Sequence, residues 1–196
     1  MAAALARFVW GLMLAATLVG CGVLDEAPRL EERARAAWSE VRNQYQRRAD
    51  LVPSLVEIVK SQAAQEREIL GQVTEARARL AQTRADAATI TDPPAFKAYQ
   101  EAQDQMSGAL GRLLSTVERY LELKTSSAFT SLRAQLDQTE NRIVVARRDY
   151  AEAAAAYNRA IGTAPGRWIA TILHPDAKPM ALFTPPTGAE PAADAK

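Results

Sequence analysis

Apolar residues recur in this chain with a seven-residue period, and that period narrows its fold more than any other feature. Steps of seven from Trp38 give Trp38, Tyr45, Val52, Val59, Glu66, Val73 and Leu80. The companion series, three residues further on, is Val41, Arg48, Leu55, Gln62, Ile69, Ala76 and Thr83. Two interleaved, mostly apolar series of this kind make one stripe along a long helix that packs on its neighbours at shallow angles. A second stripe runs Phe96, Tyr99, Gln103, Met106, Leu110, Leu113, Val117 and Tyr120. A third runs Phe129, Leu132, Leu136, Thr139, Ile143, Ala146, Tyr150, Ala153 and Tyr157. Nothing alternates by twos, as a strand would require. The fold class expected is all-α: an elongated antiparallel helical bundle.

The joints between the stripes have their own chemistry. Thr91-Asp92-Pro93-Pro94 sets a capping side chain ahead of two prolines, which are tolerated in a first helical turn and not in an interior. Thr125, Ser126 and Ser127 form a short polar joint, with a serine or threonine hydroxyl available to cap the third run near Ala128. Gly162, Pro165 and Gly166 close that run, and the short apolar tract Trp168-Ile169-Ala170-Thr171-Ile172-Leu173 follows. Pro53 costs an interior helix on the order of 3 kcal/mol, yet the register passes through it unshifted. This favours a kinked continuous helix, with a second weak point at Ser61 to Glu66 where Gln62 and Glu66 interrupt the stripe. A true break at Pro53 would instead make a four-helix bundle.

The N-terminus speaks to location. Arg7 is followed by an uncharged apolar stretch from Phe8 that ends in Leu18-Val19-Gly20-Cys21, the pattern of a bacterial lipoprotein signal with Cys21 as the lipidated residue. Residues 1–20 then form the signal peptide, and the membrane is reached through the lipid on Cys21 (a palmitate is among the chains expected). The alternative is a retained transmembrane helix at about 8–24, near the short limit for crossing a bilayer. Arg29, Arg33 and Arg35 outnumber Arg7, so a retained span would favour a cytoplasmic body. Lipidation favours an extracytoplasmic body held to the cell envelope. Beyond the signal the chain divides into a tether at 21–28, a helical bundle at 29–173 and a Pro- and Ala-rich tail at 174–196 expected to be disordered.

Charge excludes one class of partner. The chain has 24 Lys and Arg against 23 Asp and Glu. Arg7 is the only charged side chain in the first 20 positions, so the processed chain is formally neutral. Nucleic acid is not expected as a partner, since its recognition relies on clustered Lys and Arg. Cys21 has no second cysteine to pair with, so the body relies on apolar packing.

Two stretches carry a family resemblance. Val41-Arg42-Asn43-Gln44-Tyr45-Gln46-Arg47-Arg48-Ala49-Asp50-Leu51-Val52-Pro53-Ser54-Leu55-Val56 is one. Thr139-Glu140-Asn141-Arg142-Ile143-Val144-Val145-Ala146-Arg147-Arg148-Asp149-Tyr150, followed by Tyr157-Asn158, is the other. Together they resemble the LemA family of bacterial membrane-associated proteins over residues 31–173. The resemblance implies an elongated four-helix bundle behind an N-terminal membrane anchor, and it implies no activity. Many members resemble a retained single-span protein at the N-terminus; this chain departs from them in carrying Cys21.

Charges inside a stripe must be paired, because an unpaired buried charge costs several kcal/mol. Arg48 sits on the first stripe with Asp50 two residues on; Glu140 and Arg142 adjoin Thr139 on the third. A structural polar layer is expected in which Arg47 or Arg48 pairs with Glu140, and Arg142 with an acidic residue such as Asp50.

Catalytic parts are missing. The one histidine is His174, so no Ser-His-Asp arrangement or two-histidine zinc site can be assembled. No Glu-x-x-His pair is present for a di-iron bundle, and Gly108 and Gly111 do not make a phosphate loop. Glu31 and Glu32 read as a solvated helix face, and Tyr99, Tyr120, Tyr150 and Tyr157 as core or rim. No cofactor, metal or catalytic residue is expected. The sequence reads as a tethered, non-enzymatic scaffold whose partner is another envelope protein or a second copy. The alternative is a module that binds the membrane surface or cell wall, using Arg77, Arg79 and Arg84 diluted by Glu75 and Asp86.

Overall fold

The computed structural model describes residues 26–184, apart from residues 84 and 165 and the side chain of Ile169. Cys21, the signal peptide and the alternative span at 8–24 lie outside the described residues. Within them the chain forms α1 (Glu26–Gln62), α2 (Arg67–Gln82), a 3-10 turn (Thr89–Thr91), α3 (Pro93–Val117), the short α4 (Leu121–Thr125), α5 (Ser127–Gly162) and α6 (Gly166–Leu173). No strand occurs among the described residues, and the protein is an all-α helical bundle. Of the expected tether at 21–28, the described residues 26–28 belong to α1.

The expected caps are in place. Asp92 accepts from Ala95 N–H ahead of Pro93 and Pro94, and Ser126 accepts from Phe129 N–H at the start of α5. Each satisfies one of the amides that a helix N-terminus leaves open.

Pro53 lies inside α1, and the helix continues to Gln62. Proline at 53 has no N–H to offer the carbonyl four residues back, which is Ala49. That carbonyl accepts instead from Nε of Arg77 on α2, at 3.4 Å. The break comes at the weak point, where Ala63 N–H bonds to Val59 O and Glu66 N–H to Ala63 O before α2 starts. Across the turn Val73 and Ala76 keep the expected register, while Leu70 is buried in place of Ile69.

α1 and α5, each about 55 Å long by the rise of a helix, pack along each other, and α2 packs along α3. Trp38 meets Tyr150 while Arg48 meets Glu140, so α1 and α5 run in opposite directions. Arg79 reaches Gln105 while Gln72 meets Arg112, so α2 and α3 do too.

The core falls into two clusters. One centres on Trp38, whose ring lies 5.6 Å from Phe96, 5.4 Å from Tyr99 and 5.4 Å from Tyr150, with its Nε1 donating to Asp86 O at 3.0 Å. Burying a side chain of this kind stabilises by roughly 1.5–3 kcal/mol, with aromatic pairing adding to it. The other joins Val52, Leu55, Val59, Val73, Met106, Leu113, Phe129 and Leu136.

The tail departs from expectation. Residues 180–184 lie against the bundle; those beyond 184 are outside the described residues. Asn158 clamps the backbone of Met180, its Nδ2 donating to the carbonyl and its Oδ1 accepting from the N–H, both at 2.8 Å. Gln100 grips Thr184 in the same way, donating to its carbonyl at 2.8 Å and accepting from its N–H at 3.2 Å. Ala181 donates to Ile90 O and accepts from Tyr150 Oη. Phe183 joins the aromatic cluster 4.8 Å from Phe96, with the Arg147 guanidinium 4.2 Å from its ring centre. With backbone groups satisfied and two apolar anchors seated, this segment has what a disordered chain lacks.

Candidate functional site

The two clusters meet at a polar layer, and one heptad step on each of three helices defines it. Between Tyr45 and Val52 on α1 stands Arg48; between Tyr99 and Met106 on α3 stands Gln103; between Leu136 and Ile143 on α5 stands Thr139. Arg48 is 1% exposed. Its Nη1 donates to Glu140 Oε1 at 2.7 Å and to Ser107 Oγ at 2.6 Å. Its Nη2 donates to the side-chain oxygen of Gln103 at 2.7 Å and to its carbonyl at 3.2 Å. The guanidinium also lies 5.1 Å from the centre of the Tyr45 ring. The charge is thus spread over four acceptors and a π face, the condition under which a buried arginine is tolerated. Nε has no protein partner, nor has Oε1 of the buried Gln44 one turn away.

Of the five residues expected in this layer, the structure brings together Arg48 and Glu140. Arg47, Asp50 and Arg142 are exposed. Asp50 accepts from Gln46 Nε2 at 2.7 Å within its own helix, in place of the pairing with Arg142. Helical geometry explains the difference: two residues turn a side chain by about 200°, so a stripe residue and its second neighbour face opposite ways. Gln103, Ser107 and Tyr45 belong to the layer and were missed as members of it. The signal for Gln103 was present, a polar residue on the second stripe.

Two surface depressions flank the layer. One, of about 480 Å³, opens between α1 and α2, with Tyr45, Tyr99 and Gln103 at its base and Arg42, Arg77 and Asp86 around it. Burial pushes the hydroxyls of Tyr45 and Tyr99 above the ordinary phenol value. The other, of about 440 Å³, follows the α1–α5 seam and is lined by Glu40, Gln44, Asn141, Arg142, Val145 and Asp149 among others. Beside it Val144 and Val145 are 67% and 49% exposed. The first depression is bordered by the first of the two family stretches and the second by both.

No group of three or more His, Cys, Asp or Glu side chains that could hold a metal ion occurs among the described residues. His174 is exposed, just past α6. Arg79 is paired with Glu75 at 2.6 Å, and Arg77 is engaged at Ala49, while Arg84 is outside the described residues. Among the described residues no helix is long and apolar enough to cross a membrane.

The model of the LemA family matches residues 37–194, most of the chain. The chain belongs to the LemA family. Its buried Arg48, its seam and its clamped tail all fall within the matched span. This LemA-family chain is also similar to the magnetosome protein MamQ 2 of Paramagnetospirillum magneticum, at 26% identity over 73% of this chain and 58% of the relative. A similar relation holds to the magnetosome protein MamQ of Magnetospirillum gryphiswaldense, at 27% identity over 72% of this chain and 58% of that protein. The chain thus spans little more than half the length of these relatives. Family membership makes it a membrane-associated helical protein and brings no reaction with it.

Proposed function

We propose that this LemA-family protein is a non-enzymatic, membrane-tethered scaffold of the bacterial cell envelope, with a body that binds another envelope protein along the α1–α5 seam. The tether in this reading is Cys21, lipidated once residues 1–20 are removed, and the body is extracytoplasmic. The observation that carries the interaction role is the seam itself. The inward residues of the second family stretch, Thr139, Ile143, Ala146 and Tyr150, hold the core, while Val144 and Val145 of the same stretch face out beside a polar groove. Exposed β-branched residues rimmed by Arg142, Asn141 and Asp149 match the pattern of a protein contact, an apolar patch with a polar border. A surface-binding role through Arg77 and Arg79 is weaker, because Glu75 neutralises one and Ala49 holds the other.

The test is cross-linking in intact cells followed by recovery under high salt, comparing wild type with Val145→Asp. One specific protein partner, retained in salt by wild type and lost by the variant, supports the reading. No partner for either, together with salt-dependent binding of the chain to anionic vesicles, overturns it.

A further inference from the structure

α6 (Gly166–Leu173) is amphipathic in the wrong sense for a helix that serves only its own core. Among its described side chains the small Ala170 faces the bundle, 7% exposed, while Trp168, Ile172 and Leu173 are 66%, 77% and 53% exposed. The helix is nevertheless held in place at both ends. At its start Gly166 approaches α5 so closely that a Cβ there would stand 2.0 Å from the Ala160 carbonyl oxygen, so only glycine fits. Arg167 N–H bonds to Thr163 O, tying the first turn of α6 to the end of α5. Past its end the chain is pinned again where Asn158 clamps Met180.

The position of α6 indicates what covers it. Leu30 of α1 and Ile161 of α5 pack against the same cluster, and Glu31 and Arg35 lie within electrostatic reach of Tyr157. The beginning of α1 and the end of α5, from which α6 follows, are therefore at one end of the bundle. That is also the end from which residues 1–25 lead. The lipidated Cys21 stands five residues before Glu26, the first described residue of α1. Five residues of chain span at most about 18 Å, and the five helical residues from Glu26 to Glu31 rise about 8 Å. A membrane that holds Cys21 thus passes within about 26 Å of this end of the bundle by those spacings.

We propose that α6 is a second membrane contact, its outward face of Trp168, Ile172 and Leu173 resting in the interface of the bilayer that anchors the N-terminus. This rests on the tethered reading above. Tryptophan favours the headgroup level, and an apolar face with a neighbouring arginine is the composition of an interfacial helix. Arg167 on α6 and the exposed Arg29 and Arg33 on α1 can meet lipid phosphates, although Glu26, Glu32 and Asp176 temper that field. Two attachment points fix the orientation of the body where a single tether leaves it free to swing.

The experiment places a photo-cross-linking amino acid at Ile172 of the full chain in its own membranes, with Leu121 as control. Leu121 is equally open, 74% exposed, and lies just before the start of α5, at the opposite end of the bundle. The expected result is a phospholipid-sized adduct at 172 in several-fold excess over that at 121. An adduct at 172 with protein alone, or no adduct there while the chain stays in the membrane fraction, overturns the α6 contact and leaves the tether standing. A chain absent from the membrane fraction overturns the tethered reading and the α6 contact with it.

Discussion

Replacing Arg48 isolates what holds the middle of the bundle. In Arg48→Ala, four hydrogen bonds at 2.6, 2.7, 2.7 and 3.2 Å are lost at a position 1% exposed. Glu140 keeps access to water, with 44% of its side chain exposed, so it is not stranded. Gln103 is 2% exposed and its amide oxygen loses its donor, which costs roughly 1–3 kcal/mol. The cavity left by the side chain adds to this, for a loss of about 2–4 kcal/mol in all. Arg48→Met keeps most of the volume and leaves the orphaned Gln103, for a loss of about 1–3 kcal/mol. Arg48→Met with Gln103→Leu removes the orphan as well and returns to within about 1 kcal/mol of wild type, since apolar replacements of buried charge networks are often neutral or stabilising. Urea unfolding of the detergent-solubilised chain, read by far- and near-ultraviolet circular dichroism, measures each variant. A loss below about 1 kcal/mol for Arg48→Ala, beneath the cost of the orphaned Gln103 amide alone, would refute the argument. So would a double variant no better than Arg48→Met.

Further outcomes follow from the same structure. Pro53→Ala restores an N–H to the Ala49 carbonyl in α1, and the interior-proline penalty less the unfolded-chain entropy of proline predicts a gain of about 2 kcal/mol by urea unfolding; a loss would mean that Pro53 fits its site better than alanine. Asn158→Leu removes both hydrogen bonds to Met180, so amide hydrogen exchange at Met180 and Ala181 rises while the α1–α5 core stays protected; unchanged exchange would contradict the clamp. All five tyrosines have raised pKa values, by burial for Tyr45, Tyr99, Tyr150 and Tyr157 and by the hydrogen bond to Glu66 for Tyr120. A raised group stabilises the fold below the unfolded value near 10 and loses that contribution as pH rises through the folded values, so phenolate absorbance in the native chain lags that of the urea-unfolded chain above pH 10. Glu118 is the opposite case: hydrogen bonds from Lys124 and Arg133 lower its carboxyl to about 2. Its contribution is present above about pH 4.5 and is lost as pH falls toward 2, which carboxyl-carbon NMR follows directly.

The helical skeleton was legible because a period of seven is a global signal that many residues repeat. Even the fate of Pro53 could be read, since register unbroken from Tyr45 to Val59 is hard to keep across a loop. Arg48 was legible for the same reason, as a charge in an apolar stripe. Its partners were only partly so: Glu140 was found, whereas the expected pairing of Arg142 with Asp50 does not form, since Asp50 stands about 200° around α1 from Arg48. The seated tail was hidden because its apolar anchors, Met180 and Phe183, are isolated in a Pro- and Ala-rich stretch. Its clamps, Gln100 and Asn158, look in sequence like ordinary surface amides. Arg77 was read as a free surface charge because its acceptor, the carbonyl released by Pro53, is backbone that pattern reading does not see.

The central claim is a helical body held at a membrane through Cys21, and intact mass tests it most directly. Wild type and Cys21→Ala are purified from membranes, with incorporation of labelled palmitate measured in parallel. The account predicts a wild-type chain that begins at Cys21 and carries lipid, and a variant that retains residues 1–20 and incorporates no label. A wild-type chain that keeps Met1 and has the same unlipidated form as the variant would contradict it.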